Sequence, residues 1–239
     1  MADDDPSSKR AKTASAGDGR PTIGYWRIRG LAAPIKYQLA YSHVEFDEEI
    51  FEQGDGPEFS RAAWTDVKND LDLDFPNLPY LKVDGMSLTE SGAIHRFCAH
   101  KWRRELLFLD NVESYAKSEM VWGVVSDLKA AITSRSYRGD GNKKTLYEFA
   151  IPRLERLSKQ VGERGQNYLM GNTGDLCCAD FAFVELIEFV DFVSDGKVFE
   201  IYPRFKTYRD RIFSLPGLKE YYEACPKLPF NNKVAKINN

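Results

Sequence analysis

Along the first hundred residues the apolar positions change period several times, and each change marks an element boundary. Ile23, Tyr25 and Trp26 are β-formers in a short run that stops at Arg29-Gly30, which predicts a buried strand followed by a turn. Leu31, Ile35, Leu39 and Ala40 then recur at helical spacing, with Pro34 in the first turn, where its missing N–H costs nothing. This predicts a helix over about 33–42. Val44 to Ile50 is a strand candidate with imperfect alternation, so the opening reads β-α-β, and the right-handed crossover makes its two strands parallel. Phe51 to Phe59 is a loop punctuated by Gly54, Gly56 and Pro57. Arg61 to about Lys68 predicts a short helix carrying Trp64, and Leu71 to Pro79 an irregular segment. Tyr80–Val83 and Met86–Leu88 flank Asp84-Gly85, which supplies the positive φ that a tight hairpin turn needs. Thr89-Glu90-Ser91 leads into a helix with Ile94, Phe97 and Cys98 on one face.

After the polar, aromatic stretch from Lys101 to Asp110 the pattern is helical throughout. Helices are predicted over about 112–136, 143–162, 179–194, 204–214 and 216–224. Gly139-Asp140-Gly141 separates the first two, and Pro216 suits the first turn of the last. Leu228 to Asn239 is irregular. The order β-α-β-α-β-β-α followed by helices alone predicts an α/β N-terminal thioredoxin-like domain at 21–102 and an all-α C-terminal helical domain at 103–239. Residues 1–20 are small, charged and poor in large apolar side chains, the composition of a disordered tail. Lys9-Arg10-Ala11-Lys12 within it reads as solubilising charge or as a minimal nuclear-import patch.

Composition narrows the function classes. The 239 residues are 43% hydrophobic and 13% aromatic, ample for a core. A net charge of −3 with acids and bases interspersed argues against a nucleic-acid surface. No apolar run approaches the ~20 residues that span a bilayer, and the N-terminus has no apolar signal-peptide core. Four cysteines (Cys98, Cys177, Cys178, Cys225) form no C-x-x-C, and three scattered histidines offer no metal-ligand spacing. A reduced, cytoplasmic protein is the expectation.

Five places carry candidate chemistry. Tyr25 stands where a strand ends and a helix is about to begin, a common site for a reactive group in an open α/β sheet. Its phenol is either a donor to an anion over the helix N-terminus or a core hydroxyl satisfied by a backbone carbonyl. Glu90-Ser91 sits at another strand-to-helix junction, where the Ser91 hydroxyl and first-turn N–H groups make a carboxylate site or a plain N-cap. Trp64 and Lys68 are four residues apart and would share a helix face. Asn77-Leu78-Pro79-Tyr80 carries an X-Pro bond before a strand. Cys177 and Cys178, at a helix N-terminus, are either activated thiols or buried and inert.

Gly24-Tyr25-Trp26-Arg27-Ile28-Arg29-Gly30-Leu31 resembles, without a gap, the G-Y-W-x-I-R-G-L that opens cytosolic glutathione transferases of the mu class. The likeness is dense from 21 to 101 and patchier to about 230. It implies a transferase that joins the thiolate of reduced glutathione to apolar electrophiles, with glutathione as co-substrate, no metal or other cofactor, and Tyr25 as the catalytic hydroxyl. It implies glutathione contacts from Tyr25, Trp26, Arg61, Trp64, Lys68, Asn77, Leu78, a cis Pro79, Glu90 and Ser91, and from Asp127 toward a partner subunit. The electrophile would rest on Ile28, Leu31, Tyr137 and Phe230. Phe75 resembles the aromatic key of the mu dimer, and Arg96 its interface arginine, so a homodimer is implied. Gly54-Asp55-Gly56-Pro57 resembles the extra loop of that class. Glu90 departs from the usual Gln and adds a charge beside the ligand. Tyr168-Leu169-Met170-Gly171-Asn172 with Ala179-Asp180-Phe181 resembles the family's folding motif, but Cys177 replaces its Ser/Thr cap, which predicts a weaker one. The same fold also hosts ligand carriers and glutathione-dependent isomerases or peroxidases.

Overall fold

The computed structural model describes residues 19–161, 167–170 and 175–238. Residues 1–18 of the expected tail and Gly171-Asn172 of the expected motif lie outside the described residues. Four strands, β1 (Thr22–Trp26), β2 (Asp47–Phe51), β3 (Tyr80–Val83) and β4 (Met86–Thr89), form one sheet in the order β2-β1-β3-β4. β1 pairs parallel with β2 and antiparallel with β3, and β3 pairs antiparallel with β4. α1 (Ala32–Tyr41) makes the crossover and α3 (Ser91–Trp102) follows the hairpin. Gly24 is required here by close approach: a Cβ on it would lie 2.0 Å from the ring of Tyr80 on the neighbouring strand.

The helical half comprises α4 (Val112–Arg138), α5 (Lys143–Gln160), α6 (Cys178–Ser194), α7 (Lys197–Ile201), α8 (Pro203–Phe213) and α9 (Leu218–Ala224). α4 runs about 40 Å and starts at an N-cap, where Asn111 Oδ1 accepts the Ser114 N–H at 2.9 Å. α5 starts the same way, on Asn142 and Lys144 at 2.8 Å. α6 is buried on nearly every side and packs against α1, α4, α5, α7 and α8. No helix among the described residues is long and apolar enough to cross a membrane.

Several boundaries differ from the sequence reading for physical reasons. The helix expected over 61–68 stops early: α2 is only Ala62–Thr65, and a 3₁₀ turn begins at Lys68. Trp64 is drawn inward, edge-on to Phe51 at 5.3 Å and stacked over Tyr80 at 6.3 Å, while its neighbours remain exposed. Trp64 and Lys68 therefore do not share a continuous helix face. Pro216 lies before α9 rather than in its first turn, because Gly217, at φ +78°, caps the helix with its N–H on Glu220 Oε2 at 2.7 Å. The five-residue α7 and a 3₁₀ turn at Arg104–Leu107 are too short to show a period.

The cap of α6 is stronger than Cys177 suggested. Cys177 makes no side-chain cap, but the Asp180 carboxylate, fully buried, accepts the Cys177 N–H at 2.8 Å and the Leu169 N–H at 2.9 Å. Tyr208 of α8 donates to the same group at 2.7 Å. One carboxylate thus ties α6, α8 and the segment before them. Asp180→Ala is expected to strand three buried donors and to cost about 3–5 kcal/mol. A urea midpoint that stays at the wild-type value would refute that role.

Candidate active site

β1 is paired on both edges, so the backbone that delivers Tyr25 is fixed, with Tyr25 opposite Ile50. The ring is buried, and its hydroxyl oxygen accepts the Leu31 N–H at 3.0 Å. That approach depends on Gly30, whose φ is +42° and on which a Cβ would lie 2.5 Å from the Tyr25 oxygen. Burial pushes the phenol well above its ordinary pKa, with the Leu31 N–H opposing. Tyr25 therefore stays protonated at neutral pH, its oxygen held by one N–H and its own proton free to donate. The core-tyrosine reading, with the hydroxyl donating to a backbone carbonyl, does not describe it.

Tyr25 opens onto a cavity of about 500 Å³ between the two halves of the chain. Of the residues singled out in the sequence, the structure brings together here Tyr25, Ile28, Leu31, Ser91, Tyr137 and Phe230. Ser91 is the first residue of α3, whose preceding cap position, Glu90 at φ +66°, makes no side-chain cap bond. The plain N-cap reading of Ser91 therefore fails, and the first N–H groups of α3 remain available to an anion. Tyr137 is anchored, its oxygen accepting the Asn232 N–H at 2.9 Å.

Other expected residues do not line this cavity. Trp26, next to Tyr25 on β1, points to the opposite face by strand alternation and packs edge-on to Phe51 at 6.4 Å. Asn77 closes a small polar cluster: its Oδ1 accepts the Leu78 N–H at 2.9 Å and its Nδ2 donates to Glu90 Oε1 at 3.4 Å. The Leu78–Pro79 bond is cis, and so, outside the sequence reading, is Gly56–Pro57. Arg61 and Asp127 are exposed and Lys68 is half-buried. Phe75 is 76% exposed. Arg96 pairs within its own chain, with Glu119 at 2.6 Å and over the Trp122 ring at 4.3 Å. Burial pushes the Cys178 thiol up to about 12 and raises Cys177 as well, so neither is an activated thiol. No group of three or more potential metal ligands occurs among the described residues.

The sequence reading missed the titratable members of the cavity wall: Lys129 and Arg138 from α4, Glu185 from α6 and His95 from α3. Lys129 does carry a signal, as a cation one turn from Val125 inside an apolar helix stripe. His95 is neutral: burial, and then Lys129 and Arg96, push it down to about 3. It also missed a strap. The Arg29 and Gly30 N–H groups donate to the Pro229 and Phe230 carbonyls at 2.8 and 3.2 Å, and Phe230 packs on Phe189 and Phe192. The irregular C-terminal segment is therefore a wall of the cavity.

Residues 21–100 match the glutathione S-transferase N-terminal domain, and residues 126–224 the glutathione S-transferase C-terminal domain. A glutathione S-transferase of Dermatophagoides pteronyssinus is 33% identical over 221 residues, covering 92% of this chain and 97% of that protein. The chain belongs to the glutathione S-transferase family. Within that family it is mu-like: human glutathione S-transferase Mu 3 is 30% identical over 222 residues, covering 91% of this chain and 95% of that protein. Among solved structures, the glutathione S-transferase Blo t 8 superposes with a TM-score of 0.79 at 27% identity, covering 91% of this chain and 100% of its own. The Pi-class enzyme of Onchocerca volvulus gives 0.75 at 25% identity, covering 90% and 99%.

In this transferase the seam beneath the cavity is electrostatic. Arg29 donates to Glu185 at 2.6 Å, with the two side chains only 16% and 2% exposed, and Tyr37 donates to the same oxygen at 3.0 Å. The guanidinium also lies 4.1 Å above the Phe230 ring. Arg29→Met is expected to leave Glu185 charged and buried and to cost about 3–5 kcal/mol, much of which the Arg29→Met/Glu185→Met double variant regains. Thermal midpoints of the four proteins in that cycle measure the coupling, and strictly additive losses would contradict it.

Proposed function

We propose that Tyr25 ionises reduced glutathione by donating its hydroxyl proton to the thiol sulfur as a hydrogen bond, and that the thiolate then attacks an apolar electrophile in the adjoining cavity. A free thiol ionises near ~8.5, and lowering that by two units takes roughly 2.7 kcal/mol of preferential stabilisation of the anion. The buried Tyr25 phenol, facing the cavity with its oxygen already accepting the Leu31 N–H, supplies a donor and not a base, and that geometry carries the reading. The thiol proton leaves to water; attack then forms the carbon–sulfur bond while either a leaving group departs with its electron pair or a π pair shifts to the neighbouring atom and takes up a proton from water, and the protein itself contributes no covalent nucleophile.

Glutathione's γ-glutamyl end is assigned to Ser91 and the uncapped start of α3, with Glu90 toward its ammonium. Its cysteinyl backbone is assigned to Leu78 beside Pro79, with Asn77 bracing the turn. Trp26, Arg61, Trp64 and Lys68 are assigned to the rest of the tripeptide, and Asp127 to a ligand held by the partner. The electrophile rests on Ile28, Leu31, Tyr137 and Phe230. Exposed Phe75, together with exposed Val112, Met120 and Val124 on α4, supports a homodimer. The protein is placed in the cytoplasm, with its cysteines reduced, and needs no metal.

Tyr25→Phe is expected to lower kcat/KM for glutathione and a chloronitrobenzene about 100-fold while the protein is still retained by immobilised glutathione. Turnover within twofold of wild type removes Tyr25 from the mechanism. Retention without any wild-type turnover would instead mark a carrier. Phe75→Glu is expected to shift the protein from dimer to monomer in sedimentation, and an unchanged dimer would show that the exposed ring serves no interface.

A further inference from the structure

α4 contributes two cations to the cavity, an exposed Arg138 and, close to Tyr25, Lys129. Val125, Leu128 and Ile132 set the buried stripe of this helix, and Lys129 lies beside them, half-buried, with its Nζ donating to the Gly30 carbonyl at 2.9 Å. Tyr25 takes the Leu31 N–H, the other end of that same peptide unit, at 3.0 Å. The two contacts bound the separation of phenol oxygen and ammonium at about 8 Å. Glu185 shares the cavity wall, but its carboxylate is engaged by Arg29 and Tyr37. Among the described residues Lys129 has no carboxylate partner, so two of its three N–H bonds are left for whatever enters the cavity. Burial pushes its pKa down to about 8, opposed by Glu185 and reinforced by Arg29, and at neutral pH it remains largely charged.

We propose that Lys129 is a substrate-contact residue that selects α,β-unsaturated carbonyl compounds among the electrophiles this cavity accepts, by donating a hydrogen bond to the carbonyl oxygen as the thiolate adds. The inference rests on Tyr25 holding the thiolate. A sulfur within hydrogen-bond reach of Tyr25, a carbon ~3–3.5 Å from it, and the few ångströms from that carbon to the carbonyl oxygen add up to more than the span from phenol oxygen to ammonium, so a bent substrate, not an extended one, brings its carbonyl oxygen to the ammonium. In the step, the carbon–sulfur bond forms at the β-carbon and the π pair moves through the α-carbon onto oxygen, giving an enolate. The ammonium meets that charge where it develops, which is where a fixed donor contributes most. A proton from water then reaches the α-carbon and completes a neutral thioether. Electrophiles that simply expel a halide place no charge on an oxygen and have no use for Lys129.

The test compares wild type, Lys129→Met, Lys129→Gln and Lys129→Arg as full chains on two substrates: benzylideneacetone, an enone, and benzyl chloride. Lys129→Met and Lys129→Gln are expected to lower kcat/KM on the enone by about tenfold or more, with benzyl chloride within twofold and KM for glutathione unchanged. Lys129→Arg is expected to recover most of the enone rate. If both substrates fall together, Lys129 only props the Gly30 peptide and the proposal is overturned. If the enone rate does not change in either neutral variant, it is overturned as well. The Gln variant preserves the readout should Met prevent folding. Wild-type protein inactive on both substrates would instead overturn the transferase reading on which the inference depends.

Discussion

The Arg29–Glu185 pair is the constraint on which the site depends. It is almost without solvent, it spans the two halves of the chain, and each of its members holds something else in place. Arg29 leaves β1 through the turn that carries Gly30 and Leu31, so its anchorage fixes the N–H that meets Tyr25. Glu185 sits in the middle of α6, whose N-terminus Asp180 secures. A buried pair of this kind contributes little net stability compared with apolar residues of equal volume, but it tolerates only one relative placement of its elements. Here that placement sets the width of the cavity.

The elements legible in the sequence were those written in local chemistry. The strand to Trp26, the Asp84-Gly85 hairpin and the long helices each carry their own period or turn residue, and they occur where those signals put them. Tyr25, Ile28 and Leu31 were legible because the Gly24–Leu31 motif runs from the end of a strand through the turn into a helix, and Ser91 because it opens the helix after the hairpin. The length of the helix at Trp64 was not legible, because burial of the indole between Phe51 and Tyr80 outweighs a weak local propensity. Glu185 could not be paired with Arg29 by any pattern, since 156 positions separate them. The strap had no period because its order comes from partners elsewhere in the chain. Its backbone meets Arg29, Gly30 and Ser136, and its Val234 N–H reaches Gln53.

The charges around the cavity form a graded set. Glu185 is neutralised by Arg29, His95 is held uncharged, and Tyr25 is kept protonated by burial. Closest to the reacting atoms are the protonated Tyr25 phenol and the Lys129 ammonium, separated by a single peptide, with Tyr137 and Arg138 elsewhere in the wall. An apolar ligand meets almost no desolvation cost over most of its surface and finds polar contacts only near the reacting atoms.

The strap also carries a consequence for biosynthesis. The carbonyls that receive the Arg29 and Gly30 N–H groups belong to residues translated about two hundred positions later. Domains fold largely as they emerge from the ribosome, so the sheet with Tyr25 has its strands in hand while its cavity still lacks one side. The nascent protein can hold the shape of its first half long before it can enclose a substrate. This wall of the cavity is thus among the last parts of the protein to be made.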